Sequence, residues 1–290
     1  LIIRINKLNK IMSKTAIITG ANKGIGLAVA KDLISKNYQV ILACRDTAKG
    51  KMAEEFLGSN AKFLELDLSK PSSINQFVNQ INSNYSEIDV LYNNGGLIYR
   101  DFELTEEGYE SMISVNYFGS FRLALMLLEN LHRRSGRIVQ VTSLTMYFAR
   151  TFNLSRLHSN DSFSSSSRYN FTNLLRSMFA IELENKLKKT SISVSVTHPG
   201  FTNSRQSRPY KVKKIKKPFY TYFSTNINTG IAPIIRAIED ENVTADLVYS
   251  PKLIGIYGKP TLMRHNKLVY NQELRDKLWS YTVNELNLDI

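Results

Sequence analysis

Hydrophobic and polar positions along this chain follow two periods. Short runs dense in apolar and β-branched residues, KTAIIT (14–19), YQVILAC (38–44), AKFLEL (61–66), IDVLYNN (88–94), GRIVQVTS (136–143) and SISVSVT (191–197), read as strands. Between them, apolar residues recur at helical spacing: Leu27, Ala30, Leu33 and Ile34, then Phe118, Leu123, Leu127 and Leu131, then Leu174, Leu175, Met178, Phe179, Leu183 and Leu187. Strand and helix in alternation predict an α/β fold, a doubly wound parallel sheet flanked by crossover helices. No repeat or long linker interrupts the pattern, so residues 14–290 read as a single domain behind an N-terminal extension, 1–13. The polar run SNDSFSSSS (159–167) reads as a surface loop.

Composition narrows the classes. At 290 residues with 43% apolar content, the chain buries a large core within one domain. A single cysteine, Cys44, excludes internal disulfides, and four scattered histidines give no metal-ligand spacing. These features predict a metal-free protein of a reducing compartment, the cytoplasm. The net charge of +13 is local: residues 185–238 hold eleven Lys or Arg and no acid, and the remainder carries 27 basic against 25 acidic residues. No recognition motif or regular basic helix accompanies that cluster, which argues against nucleic acid and for a lipid headgroup or a phosphorylated cofactor. The opening LIIRINKLNKI is too short and too charged to span a bilayer, which takes roughly 20 apolar residues, and Met12 is a plausible natural start.

The first strand runs into TGANKGIG (19–26) and then a helix. Glycines there let the backbone approach a pyrophosphate, and the helix N-terminus offers free N–H groups and partial positive charge. Gly20, Gly24 and Gly26 are spaced T-G-x-x-x-G-x-G, wider than the ordinary dinucleotide fingerprint, and the sequence here resembles the short-chain dehydrogenase/reductase family. The resemblance continues in order through ACRD (43–46), LDLS (66–69), NNGG (93–96), Asn116, Ser143, Tyr169 and HPG (198–200). ACRDTAKG, HPGFTNS and RDKLWSYTVNELNL look most like the retinol dehydrogenase branch, and TGANKGIGLAVAKDL also looks like carbonyl reductases. The resemblance implies a Rossmann-type fold and a nicotinamide cofactor.

Charge bears on which cofactor. Where strand two ends beside an adenosine ribose, an acidic residue would repel a 2′-phosphate; this chain offers Arg45, with Lys23 in the glycine loop, and the pair predicts NADP(H). Asp46 follows at once and softens that preference. Asn22 and Ile25 belong to the same phosphate loop, and the resemblance implies Asp67 and Leu68 near the adenine and Asn94 near the adenosine ribose.

The catalytic positions depart from the family. Hydride transfer at a carbonyl carbon needs a proton donor and a hydrogen-bond donor for the developing oxyanion. The resemblance assigns these to Tyr169 and Ser143, with a lysine four residues after the tyrosine lowering its pKa and holding the nicotinamide ribose, supported by Asn116 through water. The lysine position is Asn173. Tyr210 and Lys214 form a literal Y-x-x-x-K, but in a proline-flanked segment after the HPG turn, and Arg168 and Arg176 are expected to point to other faces. An unperturbed phenol, with a pKa of about 10, still donates a proton, so weakened carbonyl reduction is expected to survive better than alcohol oxidation. The alternative is a non-catalytic NADP(H)-binding protein with a regulatory or scaffolding role. Asn173 retains the capacity to bond a ribose hydroxyl.

Of the remaining candidates, His198 reads as structural, Pro199 and Gly200 as the nicotinamide-side turn, and Ser204, in competition with Thr202, as a cofactor contact. Gly95, where the family usually carries alanine, reads as loosening its turn. Residues 201–228 occupy the family's variable substrate lid; five lysines beside Phe219, Tyr220, Tyr222 and Phe223 suit an apolar carbonyl or alcohol substrate and a peripheral contact with an intracellular membrane. A homo-oligomer is compatible with all of this.

Overall fold

The structure, a computed structural model, describes residues 13–98, 100–131, 136–158, 163–200, 227–253 and 255–288. Eight strands form one sheet in the order β3-β2-β1-β4-β5-β6-β7-β8: β1 (Thr15–Thr19), β2 (Gln39–Cys44), β3 (Ala61–Glu65), β4 (Val90–Asn93), β5 (Arg137–Val141), β6 (Ser193–Thr197), β7 (Leu247–Leu253) and β8 (Tyr257–Arg264). Seven are parallel, with β1 beside both β2 and β4, and β8 closes the edge as an antiparallel hairpin partner of β7. The chain order reverses between β1 and β4, and such a switch point opens a crevice at the carboxyl ends of the strands.

Both sheet faces are covered, which is why the strands read as continuous apolar runs. Ala16 and Ile18 face one layer, packed with Val29 and Leu33 of α1 (Gly24–Ser35) and Ile234 of α7 (Ile227–Glu239). Ile17, between them, faces the opposite layer, packed among Phe77 of α3 (Pro71–Asn84), Phe121 of α5 (Gly119–Met126), Phe171 of α6 (Ser165–Leu187) and Trp279 of α8 (Gln272–Glu285). Helix α2 (Thr47–Leu57) follows β2, and α4 (Ser111–Ile113) leads through a π-helical turn, Ser114–Phe118, into α5.

Three readings are corrected here. The sheet has two C-terminal strands beyond the six the pattern gives. The serine run is only partly loop: Ser164 caps α6 by accepting from Ser167 N, so Ser165–Ser167 form its first turn. The helix before β5 ends at Met126, and Leu131 instead makes an isolated bridge with Ile88. Residues 1–12, 159–162 and 201–226, with Thr202, Ser204, Tyr210, Lys214 and the basic-aromatic lid, lie outside the described residues.

Candidate active site

The crevice at the switch point is a cleft of about 420 Å³. Its floor is backbone. Gly20 turns the chain at φ +67°, and a Cβ there would lie 3.1 Å from Gly95 Cα; one at Gly26 would lie 2.6 Å from the Gly20 carbonyl. Asn94 Nδ2 donates to Thr19 O (2.8 Å) and Gly95 N to Thr19 Oγ1 (2.7 Å), which ties the end of β4 to the glycine loop. Asn94 thus serves the floor. No side chain caps the N-terminus of α1 and no acid stands in its first turn, leaving N–H groups and dipole to an anion. Asn22 of the loop also lines the cleft, while Ile25 is half-buried in the first turn of α1.

Three exposed cations, Lys23, Arg45 and Lys49, border this end of the cleft. Asp46 is taken up by its own helix: it accepts from Lys49 N (3.0 Å) and pairs with the Lys49 ammonium, which holds its carboxyl below the ordinary range. Opposite, Asp67 Oδ1 accepts from Ser69 N and Oγ (3.0 and 2.6 Å), and buried Leu68 supplies an apolar wall. A Cβ at Gly95 would sit 3.0 Å from Leu68 Cδ1 and 3.1 Å from Thr19 Oγ1, so alanine there would require those side chains to give by a few tenths of an ångström. Cationic rim, glycine-lined floor and uncapped helix together fit a dinucleotide.

The chemical end is assembled from β5, α6 and the π-helical turn. Ser143 leaves β5 as the N-cap of a 3₁₀ turn, Leu144–Phe148, its Oγ accepting from Thr145 N (3.3 Å). Tyr169 stands half-buried in the first turns of α6. Asn173 ties the two together: its backbone O accepts from Thr142 Oγ1 (3.0 Å), and its Nδ2 donates to Thr145 Oγ1 (3.3 Å) and Tyr169 O (2.8 Å). Its buried Oδ1 has no hydrogen-bond partner among the described residues. Asn116 lies on the π-helical turn, a distortion common at functional sites. Its Oδ1 accepts from Leu97 N (2.7 Å), and its Nδ2 donates to Leu97 O (2.9 Å) and Thr172 Oγ1 (3.2 Å).

Arg176 overturns an expectation. Instead of facing away, it is buried and turned into the site: Nε donates to Asn116 O (2.5 Å) and Nη2 to Gly95 O. Seven residues after Tyr169 is two turns, hence the same helix face. Burial pushes the guanidinium down to about 10, with the Tyr169 and Tyr92 phenols acting in the opposite sense, and leaves it charged at neutral pH. Arg168 does face elsewhere, 4.0 Å from Glu110 and over the Phe163 ring.

On the β6 side, His198 is buried and burial lowers its pKa to about 4, so it stands neutral at pH 7. Buried Pro199 leads to Gly200, whose φ of +75° and closeness to Ile256 O (2.5 Å from a notional Cβ) fit the turn under the β7–β8 hairpin. Cys44 is buried, its thiol pushed up to about 11. Among the described residues no cluster of metal-ligating side chains occurs, and no helix is long and apolar enough to cross a membrane.

The glycine loop, Lys23, Arg45, Asp67 and Leu68 therefore gather in the cleft; Asn116 joins its Leu97 wall to α6 through Thr172, and Asn173 ties the turn of Tyr169 to the one that follows Ser143. Missed from the sequence were Thr142, Thr145 and Thr172, which brace the site, and Lys49; Arg176 was expected, but on another face. The i+7 spacing from Tyr169 was the available signal for Arg176.

A doubly wound sheet with a glycine-loop crevice and a Ser–Tyr–Asn set beside it defines a dinucleotide-dependent oxidoreductase fold. The short chain dehydrogenase family model matches residues 14–214, and the chain belongs to that family. It is 29% identical to retinol dehydrogenase 14 of Mus musculus over 261 residues (85% of this chain, 76% of that one). It is 32% identical to mouse retinol dehydrogenase 11 over 219 residues (73% and 69%), and 29% identical to human polyprenol dehydrogenase over 288 (92% and 83%). Among solved structures, an uncharacterised protein from Mycobacterium Paratuberculosis superposes with TM-score 0.79 at 26% identity, over 95% of this chain and 94% of that one. A Brucella melitensis 3-ketoacyl-(acyl-carrier-protein) reductase complexed with NADH (19%) and an actinorhodin polyketide ketoreductase with NADPH (21%) share the fold, each at TM-score 0.63. The first covers 81% and 94% of the two chains, the second 80% and 94%.

Proposed function

We propose that the chain is an NADP(H)-dependent oxidoreductase acting on an apolar carbonyl or the corresponding alcohol, of the isoprenoid kind named in its retinol and polyprenol dehydrogenase relatives. The observation that carries the reading is a cleft with a cationic rim, Lys23, Arg45 and Lys49, whose Leu97 wall is joined through Asn116 and Thr172 to the braced Ser143–Tyr169 turn. The rim favours the 2′-phosphate of NADP(H), and Asp46, neutralised by Lys49, offers little opposition. A bound nicotinamide supplies the hydride in reduction and accepts it in oxidation. Ser143 Oγ donates a hydrogen bond to the substrate oxygen, where negative charge develops. The Tyr169 hydroxyl gives that oxygen its proton in reduction and, as phenolate, takes it back in oxidation. Asn173 Oδ1, buried and without a partner among the described residues, would accept from a ribose hydroxyl of the bound cofactor.

A second reading, a cofactor-binding protein without turnover, draws on Asn173, which spends its amide on the Tyr169 carbonyl and brings no charge. The basic-aromatic segment 205–223 supports peripheral contact with an anionic membrane, which is where an isoprenoid substrate resides. NADPH- and NADH-coupled turnover of retinal, retinol and a panel of aliphatic aldehydes and ketones tests the proposal. Tyr169-dependent turnover that prefers NADPH is expected; cofactor binding without any turnover would favour the second reading, and no binding of either cofactor would defeat both.

A further inference from the structure

We infer that Arg176 is the counter-charge of the Tyr169 phenolate, taking from the second turn of α6 the electrostatic place that Asn173 leaves empty on the first. The inference rests on the oxidoreductase reading above, which makes Tyr169 the proton-transferring group.

The geometry is specific. The guanidinium is buried, held by the carbonyls of Asn116 and Gly95, and among the described residues no carboxylate pairs with it. Taking a cation out of water without a counter-ion is costly, which makes such a group a candidate for a functional charge. Backbone carbonyls hold the group in place and leave its net charge uncancelled. Gly96 makes room for it: a Cβ there would lie 3.0 Å from Nη2 and 3.3 Å from Nη1. Through Asn116 the guanidinium is linked to the phenol's own turn, because Asn116 Nδ2 donates to Thr172 Oγ1, which donates to Tyr169 O (2.8 Å). The two ionisable groups that act on Arg176 electrostatically are both phenols, Tyr169 and Tyr92. Tyr92 is wholly buried and pushed far up by burial, whereas Tyr169 is half-buried on the face of α6 that also carries Arg176.

The other ionisable groups on the surrounding elements are engaged elsewhere. On α6 itself Arg168 lies against Glu110 from α4, and Glu182 lies 3.5 Å from Lys186 and from Arg275 of α8. Arg156, before α6, binds Ser167 Oγ and covers the Phe171 ring. Tyr147 on the 3₁₀ turn is pushed up by burial and donates to Arg264 O, and His198 at the end of β6 is neutral. Arg100 and Asp101, beyond the Gly95–Gly96 turn, are exposed.

The test titrates Tyr169 directly. Protein labelled with ¹³Cζ-tyrosine is followed by NMR against pH without cofactor, with Tyr169 assigned by its disappearance in Tyr169→Phe. Arg176→Met is expected to move the Tyr169 midpoint up by at least about one pH unit, since an opposite charge favours the ionised form. Arg176→Lys should keep part of the effect, and Asn173→Lys combined with Arg176→Met should restore it by moving the cation one turn back. In parallel, the alkaline limb of retinol oxidation should shift in the same order across the series. If Arg176→Met disturbs folding, Arg176→Lys and Arg176→Gln carry the comparison, the first keeping and the second removing the charge. A Tyr169 midpoint unchanged across the folded variants overturns the inference even if turnover is normal. A midpoint that follows Arg176 in a protein that turns over nothing upholds the inference and overturns the oxidoreductase reading.

Discussion

The two ends of the crevice are built from different materials. At the phosphate end, recognition belongs to backbone: Gly20 takes a φ of +67°, a Cβ at Gly26 would lie 2.6 Å from the Gly20 carbonyl, and α1 leaves its N-terminus uncapped. At the chemical end it belongs to side chains on one helix face, Tyr169, Asn173 and Arg176, braced by threonines from neighbouring elements. A backbone site has fixed spacing because each glycine answers a particular steric demand. A helix-face site does not, because positions i, i+4 and i+7 share a face and long side chains reach across a turn.

The comparison breaks most readily at Tyr169. Tyr169→Phe removes the proton-transferring hydroxyl without touching the glycine loop, so turnover of a competent substrate should fall by about 10²–10⁴-fold. NADPH affinity, measured by fluorescence titration, should hardly change. Equal loss of both would mean that the two ends are not separable.

The sheet that supports both ends has its own pH dependence. His198 and His265 are buried, and burial lowers both from the ordinary 6.5 to about 4. Above about pH 6.5 the rings are neutral folded or unfolded and contribute no slope. Between 6.5 and 4 the unfolded chain binds protons that the folded chain refuses, so stability falls with pH, by about 2 kcal/mol per ring at pH 5. Urea unfolding at pH 7 and pH 5 should show this loss, and His198→Gln with His265→Gln should flatten it. Parallel pH slopes for variant and wild type would contradict the assignment.

How legible each part was follows from the same contrast. The strands β1 to β6 show in the pattern because a doubly covered parallel strand is almost wholly apolar, as in Ala16–Ile18 and Ile41–Ala43. The edge hairpin does not show: β7 carries Pro251 and Lys252, β8 carries Pro260 and alternates exposed with half-buried positions, and neither presents an unbroken apolar run. The serines before Tyr169 looked like a loop because Ser164's capping bond is a three-dimensional fact. Arg176 escaped because an arginine inside an apolar stretch reads as a solvated surface residue, and the two carbonyls that hold it come from residues 60 and 81 positions away in sequence. The expectation that Arg176 points to another face fails because position i+7 returns to the face of Tyr169.

At the phosphate end the comparison sharpens through charge. Arg45 and Lys23 are exposed, so each contributes less than a buried ion pair would. Arg45→Ala should weaken NADPH binding by about tenfold, near 1.4 kcal/mol, and leave NADH binding nearly unchanged. Lys49→Ala should shift discrimination toward NADH by a second route, since it removes a cation and frees the Asp46 carboxylate. If Arg45→Ala weakened both cofactors alike, the residue would be steering phosphates in general.

The smallest effect is expected where the chemical end is braced. Thr145→Val preserves shape but removes the hydroxyl that accepts from Asn173 Nδ2 at 3.3 Å, a long bond at a half-buried position. Its loss should cost about 1 kcal/mol or less in stability. The 3₁₀ turn stays attached through the Thr142 bond to Asn173 O, so Ser143 should be loosened without being displaced. A donor that acts on charge developing in the transition state is sensitive to such loosening, so kcat should fall about two- to fivefold with the KM for cofactor unchanged. Asn173→Ala also breaks this link, and the two substitutions combined should therefore cost less in kcat than the product of their separate effects. Strictly multiplicative effects would show that Asn173 reaches the chemistry by some route other than Thr145 and the Ser143 turn.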